Sequence, residues 1–507
     1  MAVLGLWGLD RGGMWRDEAV SFQVGRRTVP QIWRLLHEVD AVHGLYYLFV
    51  HAVLAVHPGE VVLRLPSVLA AAGTAGLVAA LGCRLARPRV GLWAGLLYAV
   101  APMAGHYAQE GRSYALVAAG ATGATLLFVR AVRGGSFWPY GMVLAVTCWL
   151  HEFAVLLPFA HAVSLAFARA GARTWRRFGG AAGAVVLALL PMVLVSRGQA
   201  AQVAWLRTPT AETAGGLLRT FLGPADEVYW VCLALALLGL AGIAGRRGEL
   251  TCAGVGLPVA VVPPALLMLA SQVSPLYVDR YVLYALSGAP LVVAAGAERL
   301  ADVLERRRPD RRGAARSGAP APRSLGAALA GVLAVALCLL HQFPLLQRDR
   351  DPAHRPDDLA AVSRAVAREV RPGEAVLFLP AQTRNAALTY PRAFRGTRDP
   401  ALVAGAARSG TLYGREAGPD ELRRRLARLD RVWVVADRGL LAGRWVPRDP
   451  TERTELTVLW QQFTAARESV RGGVTVRLYV RPDGALPGVP VSARPGTPPG
   501  PPRPARW

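Results

Sequence analysis

Acidic and basic side chains of the kind that group transfer from a phosphate donor requires stand in a few short segments of the sequence. The segment MWRDEAVSF contains two adjacent acids, Asp17 and Glu18. A carboxylate can remove the proton of an attacking hydroxyl, and an arginine presents a planar fork of N–H donors that fits phosphate oxygens. The sequence therefore offers candidate acids in Asp17, Glu18, Asp40 and Glu110, and candidate phosphate-binding arginines in Arg64, Arg112 and Arg280.

Histidines and tyrosines accompany these charges. The expected substrate-binding residues are His43, three residues after Asp40, and Tyr107 and Tyr281, which lie in HYAQEGRSYAL and PLYVDRYVLY. A divalent metal ion held by Asp40 and His151, with help from Glu110, is a further hypothesis, although no H-x-x-x-H or D-x-D spacing predicts one. No other cofactor is expected.

Each assignment has a structural alternative. Asp17 and Glu18 could favour a helix N-terminus, and Glu110 could pair with Arg112 across a turn. Arginines at the ends of apolar segments can anchor at a membrane interface, tyrosines can form an aromatic belt there, and a histidine can simply end a helix. The interfacial anchor is the alternative for Arg64 and Arg280, the aromatic belt for Tyr281, and the helix end for His151.

The composition indicates that these residues are positioned by membrane helices. Of the 507 residues, 53% are hydrophobic and only 18% are charged, and the mean hydropathy is +0.30. The net charge of +24 would suggest nucleic acid in a soluble protein, but the arginines cluster between apolar runs, so we exclude nucleic-acid binding. The five cysteines lie in apolar segments without a CxxC pair, which argues against a disulfide framework and a thiolate metal site.

About ten or eleven spans are expected, because a span needs about 20 mostly apolar residues. The apolar residues before Asp10 are too few to cross a bilayer, so we expect a first span that is truncated in this chain. The other predicted spans are 67–86, 90–106, 113–133, 138–151, 152–170, 178–197, 228–245, 249–271, 281–303 and 325–345, of which 138–151 and 152–170 form a hairpin.

Arginine placement predicts the orientation. Five arginine-rich segments fall on one side of the membrane when the spans alternate. They are Arg84–Arg89, Arg130–Arg133, Arg173–Arg177, Arg246–Arg247 and the linker 305–323. Positive loops are cytoplasmic in most membrane proteins, so the first loop, 10–66, and the other chemistry-bearing segments are expected on the extracytoplasmic face of a bacterial inner membrane.

Five motifs occur in the chain, in the order W-x-D-E, D-x-x-H, R-L-P-S, Y-A-Q-E-G-R-S-Y-A-L and D-R-Y-V-L-Y. In this order of motifs, the sequence resembles the GT-C superfamily of membrane glycosyltransferases. The closest likeness is to its family 39-like members, related to protein mannosyltransferases and aminoarabinose transferases. The resemblance covers roughly the first two thirds of the chain. It implies that Asp17, which matches the family's catalytic aspartate, is the catalytic base, and that Asp40 and Glu110 match its other loop acids. The family's H-P-P reads H-G-L from His43 onward.

A change of composition after the last span predicts a second domain. We expect a transmembrane catalytic domain over 1–345, an extracytoplasmic soluble α/β domain over 346–482, and a disordered Pro-rich tail over 483–507. Strands are predicted at 374–380, 431–437 and 474–480, and helices in LAAVSRAVAREV and PDELRRRLARL.

These features predict an enzyme that transfers a sugar, a hexose such as mannose, from a polyprenyl-phosphate donor to an acceptor hydroxyl on a protein, lipid or glycan. The reaction is expected to invert the anomeric centre in one displacement. A multi-span transporter or flippase remains an alternative, although its charges should lie near the bilayer midplane. A non-catalytic membrane scaffold of cell-envelope assembly is the other alternative.

Overall fold

The computed structural model describes residues 1–199, 206–307, 322–354, 357–471 and 473–482. Their contacts divide the chain into two compact units. The membrane unit comprises Met1–Gly12 and Ser21–His354, and the C-terminal unit comprises Gly13–Val20 and Arg355–Trp507. The tail 483–507, and the linker between Arg307 and Pro322, lie outside the described residues.

The membrane unit is built from helices, and all ten predicted spans are helical over most of their length. Its α-helices, with the one that begins at Arg16, are Ala2–Leu6, Arg16–Gly25, Val29–Glu38, Gly44–Val56, Glu60–Leu85, Pro88–Val100, Pro102–Ala108, Tyr114–Val132, Trp138–Leu150, Leu157–Phe167, Ala172–Gly198, Ala211–Leu222, Asp226–Leu240, Cys252–Ala270, Gly288–Arg307 and Pro322–Asp349. Shorter 3₁₀ segments are Ala41–His43, Glu152–Leu156 and Asp279–Ser287.

Among the described residues, six helices are long and apolar enough to cross a membrane, or seven if the bent pair Ala211–Leu222 and Asp226–Leu240 counts as one span. The prediction of a multi-pass helical membrane protein is confirmed. The predicted span 90–106 is interrupted, because proline has no backbone N–H and Pro102 starts a new helix. The run 90–106 therefore divides into Pro88–Val100 and Pro102–Ala108.

The helix Glu60–Leu85 begins seven residues before the predicted span at 67. Arg64 was expected just before this span, but it lies in the second turn of the helix and is fully buried. The motif R-L-P-S is therefore part of a helix, and Pro66 lies inside that helix, where it donates no backbone hydrogen bond.

Two glycines let a pair of helices in the membrane unit approach closely. Gly239 lies in Asp226–Leu240 and Gly296 lies in Gly288–Arg307. A Cβ atom added at Gly296 would overlap the carbonyl oxygen of Leu235, and one at Gly239 would overlap the carbonyl oxygen of Val292. Small residues at such crossings allow backbone-to-backbone packing, which is common between membrane helices.

The C-terminal unit contains a four-stranded sheet and a two-stranded sheet. The strands are β1 (Val376–Leu379), β2 (Leu402–Ala404), β3 (Arg415–Glu416), β4 (Arg431–Asp437), β5 (Thr464–Arg471) and β6 (Val474–Val480). The larger sheet has the order β1-β4-β6-β5, in which β1 is parallel to β4 and β6 is antiparallel to both neighbours. β2 and β3 pair antiparallel.

Helices pack on the sheet around a core that includes Leu377, Val434, Leu422 and Leu459. The α-helices are Leu359–Glu369, Asn385–Thr389, Ala406–Ser409, Pro419–Ala427, Arg438–Leu441 and Pro450–Gln462. All three predicted strands and both predicted helices are present, so the prediction of an α/β region in the C-terminal part of the chain is confirmed. The helix Pro322–Asp349 extends past the predicted domain boundary at 345.

Candidate functional site

Two arginines meet at one tyrosine in the membrane unit. Arg280 donates a hydrogen bond from Nε to the hydroxyl of Tyr114 over 3.1 Å. The guanidinium carbons of Arg112 and Arg280 lie 5.9 and 6.0 Å from the centre of the Tyr114 ring. Tyr114 is the first residue of the helix Tyr114–Val132 and is buried, so it brings two positive charges from different segments to one helix end.

The side chain of Arg112 also contacts His43 and Ser21. Its Nη2 lies 2.7 Å from Nε2 of His43, and its Nη1 donates to Oγ of Ser21 over 3.2 Å. Burial lowers the pKa of His43 well below its ordinary value, and the positive charges of Arg112 and Arg280 lower it further. His43 is therefore neutral at pH 7, with Nε2 as the acceptor and the proton on Nδ1.

His151 lies against the same group of rings. Its ring centre is 6.1 Å from that of His43, 5.9 Å from that of Tyr114 and 4.8 Å from that of Tyr281. Within the described part of the chain, the buried Nδ1 atoms of His43 and His151 have no hydrogen-bond partner. A buried polar atom without a partner costs free energy, so both positions are suited to a ligand oxygen.

The turn that presents Arg112 depends on its neighbours. Oγ of Ser67 donates to the carbonyl oxygen of Glu110 over 2.6 Å, and the N–H of Arg112 donates to the same oxygen over 2.9 Å. A Cβ atom at Gly111 would lie 2.6 Å from Cδ2 of Leu63, so a larger residue would push the turn away. The glycine of the E-G-R sequence is therefore favoured locally by packing against Leu63 of the helix Glu60–Leu85.

Asp40 adopts a left-handed conformation, with φ of 58°, just before the 3₁₀ turn Ala41–His43. The hydroxyl of Tyr47 donates to Oδ2 of Asp40 over 2.7 Å, and the Tyr47 ring lies 6.0 Å from His43. In the described ranges, no three His, Cys, Asp or Glu side chains are grouped as a metal site would need. A metal ion at Asp40 and His151 would thus need substrate oxygens to complete its coordination.

The other predicted residues are placed as follows. The ring of Tyr107 lies 5.7 Å from that of Tyr114, which makes it a neighbour of the arginine pair. Glu110 is buried and adjoins the turn through its backbone. Nη1 of Arg64 donates to the carbonyl oxygen of Leu9 over 3.0 Å, so this guanidinium has a structural contact in the N-terminal segment.

Asp17 and Glu18 lie in the first turn of the helix Arg16–Gly25, and this part of the helix belongs to the C-terminal unit. Glu18 is buried and Asp17 is half-buried. Asp17 and Ser21 are four residues apart in one helix, so their side chains share a face. The sequence analysis missed Ser21, and this spacing from Asp17 was the signal that could have identified it.

A cavity of 790 Å³ adjoins Arg280 in the membrane unit. Its lining includes polar and charged side chains, among them Arg207, Thr208, Thr213, Tyr277, Asp279 and Arg280. Burial raises the pKa of Tyr277 above its ordinary value, and the charge of Asp279 raises it further, so the phenol stays protonated and can donate. The cavity therefore combines two arginines with hydroxyl donors, which suits an oxygen-rich anionic ligand.

No protein-family model and no curated protein matches the sequence. Among solved structures, the chain is similar to ArnT from Cupriavidus metallidurans in the apo state, with a TM-score of 0.58, 14% identity, and coverage of 94% of this chain and 95% of that chain. For ArnT bound to undecaprenyl phosphate the TM-score is 0.56 at 14% identity, covering 94% and 96%. The oligosaccharyltransferase AglB from Archaeoglobus fulgidus has a TM-score of 0.45 at 12% identity, covering 94% and 71%.

The likeness to ArnT extends over nearly the full length of both chains. The chain therefore has a GT-C-like fold, as the order of its motifs predicted. At this level of identity the likeness concerns the fold, and the activity has to be argued from the residues of the site.

Proposed function

We propose that the protein transfers a sugar from a polyprenyl-phosphate donor to an acceptor hydroxyl, with inversion at the anomeric carbon. The observation that carries this proposal is the meeting of Arg112 and Arg280 at Tyr114, beside a cavity of 790 Å³. Two guanidinium groups held at fixed positions suit a phosphate whose negative charge grows as its bond to the sugar breaks. ArnT, which shares the fold, has been solved with undecaprenyl phosphate, and this supports a lipid phosphate as the donor.

Asp17 acts as the base in this mechanism. It takes the proton of the acceptor hydroxyl while the hydroxyl oxygen forms a bond to the anomeric carbon. The bond from that carbon to the phosphate oxygen breaks, and its electron pair leaves with the lipid phosphate. One displacement of this kind inverts the anomeric centre and forms no covalent sugar–protein intermediate.

The remaining residues bind the two substrates. Arg112 and Arg280 hold the donor phosphate, and each contact contributes about 2–4 kcal/mol of transition-state stabilisation. The Nδ1–H of His43 donates to a donor oxygen, and the rings of Tyr107 and Tyr281 flank the sugar. Glu18, Asp40 and Glu110 are supporting acids. Asp40 orients the hydroxyl of Tyr47, with which it shares a 2.7 Å hydrogen bond.

The reaction takes place on the extracytoplasmic face of a bacterial inner membrane. Arginine clusters follow or precede membrane helices at Arg84–Arg89, Arg130–Arg133, Arg173–Arg177 and Arg246–Arg247. This pattern supports cytoplasmic loops at those ends. The arginines of the proposed site are in other segments, which is consistent with the opposite face.

Transfer of label in lipid nanodiscs tests the proposal. Full-length protein is mixed with radiolabelled polyprenyl-phosphate mannose and a membrane extract as the acceptor, and wild type is compared with Asp17→Asn. The matched control is Asp10→Asn, which changes an exposed acid of the predicted first loop, 10–66. We expect the rate to fall at least about a hundredfold for Asp17→Asn, because a general base is lost, and to stay unchanged for Asp10→Asn.

Equal transfer by wild type and Asp17→Asn would show that Asp17 is not the base. If wild type transfers no label from the mannose donor, the same assay is repeated with a polyprenyl-phosphate aminopentose. Failure with both donors would reject sugar transfer from this class of carrier.

A further inference from the structure

The segment Gly13–Val20, which carries Asp17 and Glu18, packs within the C-terminal unit, although it is far in sequence from the rest of that unit. The backbone N–H of Met14 donates to the hydroxyl of Tyr390 over 3.0 Å. The N–H of Leu359 donates to the carbonyl oxygen of Met14 over 3.3 Å. Both backbone polar groups of Met14 are thus bonded to residues of the C-terminal half of the chain, and its side chain is 1% exposed.

Two further contacts limit where this segment can lie. Nε of Arg16 is 3.4 Å from Oδ2 of Asp357, whose side chain is only 16% exposed. A Cβ atom at Gly13 would lie 2.6 Å from Oδ1 of Asp358 and 2.6 Å from Cβ of Ala360. The backbone at Gly13 therefore lies directly against the start of the helix Leu359–Glu369, and the ion pair follows three residues later.

The residues that hold the segment belong to one connected framework. Oδ1 of Asp358 accepts a hydrogen bond from the N–H of Ala361 and so caps the helix Leu359–Glu369. The N–H of Tyr390 donates to the carbonyl oxygen of Ala386 over 3.0 Å, and Oγ of Ser363, in the capped helix, donates to the same oxygen over 3.4 Å. Tyr390 and the capped helix are thus fixed to each other as well as to the segment.

We propose that the C-terminal unit positions the catalytic base: Tyr390 and Asp357 are positioning residues that hold Gly13–Val20 and thereby set the first turn of the helix Arg16–Gly25. The proposal rests on the proposed function of Asp17. Asp17 follows Arg16 directly and Met14 by three residues, so fixing these two leaves its backbone little freedom. Transfer between two bound substrates is sensitive to the placement of the base, since a shift of about 1 Å can reduce the rate about a hundredfold.

Hydrogen exchange and kinetics together test this proposal on the full-length protein in nanodiscs. The variant Tyr390→Phe/Asp357→Asn removes the hydroxyl acceptor and the carboxylate charge while keeping both side-chain volumes. The matched control, Asp420→Asn, breaks an exposed ion pair with Arg423 in the same unit. Exchange is followed in the peptide covering residues 13–20, and transfer is followed as kcat and KM for the donor.

We expect faster exchange at residues 13–20 in the double variant, with kcat reduced about 10- to 100-fold and KM for the donor within about twofold of wild type. The charge swap Arg16→Asp/Asp357→Arg should recover exchange protection and kcat relative to Asp357→Arg alone. A purely structural role of the C-terminal unit would instead lower the amount of folded protein without this split between kcat and KM.

Unchanged exchange at residues 13–20 in the double variant would overturn the proposal, and so would faster exchange with unchanged kcat. The exchange measurement needs no substrate, so it reports on the anchoring even if wild type transfers no sugar. Absence of transfer by wild type would count against the proposed function, whereas normal transfer with an unanchored segment would count against this inference.

Discussion

Arg112 and His43 are 69 residues apart in the sequence, and Nη2 of Arg112 lies 2.7 Å from Nε2 of His43. A guanidinium group can only donate, so the histidine must accept through Nε2 and carry its proton on Nδ1. This one contact therefore selects both the charge and the tautomer of a residue in the proposed donor site.

The neutral state of His43 should make stability depend on pH. Its pKa is lowered in the folded protein, first by burial and then by Arg112, so below about pH 6.5 the unfolded chain takes up a proton that the folded chain does not. The stability that the neutral His43 contributes is present above that pH and is lost as the pH falls. The loss is about 1.4 kcal/mol in the free energy of unfolding for each unit by which the pKa is lowered on folding. In thermal unfolding, Tm of His43→Gln should fall less than that of wild type between pH 7.5 and 5.

The exposed residue His57 supplies the control, as His57→Gln should leave the slope of Tm against pH unchanged. Parallel profiles for wild type and His43→Gln would contradict a neutral His43.

Removing the hydroxyl of Tyr114 should impair transfer without removing the aromatic ring. Tyr114→Phe deletes the acceptor of the 3.1 Å hydrogen bond from Arg280, whereas the ring can still contact both guanidinium groups. Hydrogen bonds to charged groups contribute about 1.5–3 kcal/mol, so kcat/KM should fall about 10- to 100-fold. Tyr229→Phe is the control and should retain wild-type kinetics. The centre of the Tyr229 ring lies 4.8 Å from the guanidinium carbon of Arg219. Wild-type kinetics for Tyr114→Phe would show that Arg280 needs no orientation by this hydroxyl.

Lysine should not replace either arginine at the Tyr114 ring. Arg112→Lys and Arg280→Lys keep the charge but lose the planar fork that binds two phosphate oxygens. Each loss should raise the barrier by about 2–4 kcal/mol, which lowers the rate of transfer about 30- to 1,000-fold in a single-turnover assay. Arg169→Lys, at an arginine that donates to the carbonyl oxygen of Gly245, should have little effect. Full activity of both lysine variants would mean that charge alone is sufficient.

Glu455 should limit the stability of the C-terminal unit at neutral pH. It is 0% exposed, and neither of its carboxylate oxygens has a hydrogen-bond partner among the described residues. Burial raises its pKa well above the ordinary value, and the negative charge of Glu416 raises it further. The folded unit therefore holds the proton longer than the unfolded chain does, and stability falls as the pH rises above about 4.3.

The substitution Glu455→Gln removes this dependence while keeping the shape of the side chain. Hydrogen exchange in strand β6 should be slower for the variant than for wild type at pH 7.5, after correction for the intrinsic rate, and the difference should shrink towards pH 4.5. Glu468→Gln, at an acid of strand β5 that is 42% exposed, is the control. Faster exchange in Glu455→Gln at pH 7.5 would show that the carboxylate is stabilising.

The strands show what local sequence could and could not predict. β4 and β6 are rich in valine, and β4 is buried over most of its length, so apolar content alone identified them. β5 was missed because its sequence, TAARESVR, has no apolar face and is exposed at the edge of the sheet. Its formation depends on pairing with β6, which is a tertiary effect that overrides local preference.

The candidate site was predicted in part. The motifs identified Arg112, Arg280 and His43, because charged and imidazole groups at the ends of apolar segments stand out. They did not predict that Tyr114 joins the two arginines, or that Arg64 donates to the carbonyl oxygen of Leu9. Such contacts depend on how helices that are distant in sequence pack against each other. A single sequence does not show which of its helices are close in space.

The hydrogen bond from Met14 to Tyr390 joins residues that are 376 positions apart, and this separation has a consequence for biosynthesis. A ribosome adding about 5–20 residues per second needs roughly 20–75 s to make the chain between them. During that time the Asp17 segment has left the ribosome but its anchor does not yet exist. The nascent chain therefore completes this part of its structure only at the end of translation, and a product cut short before residue 357 would carry the acidic motif without the contacts that hold it.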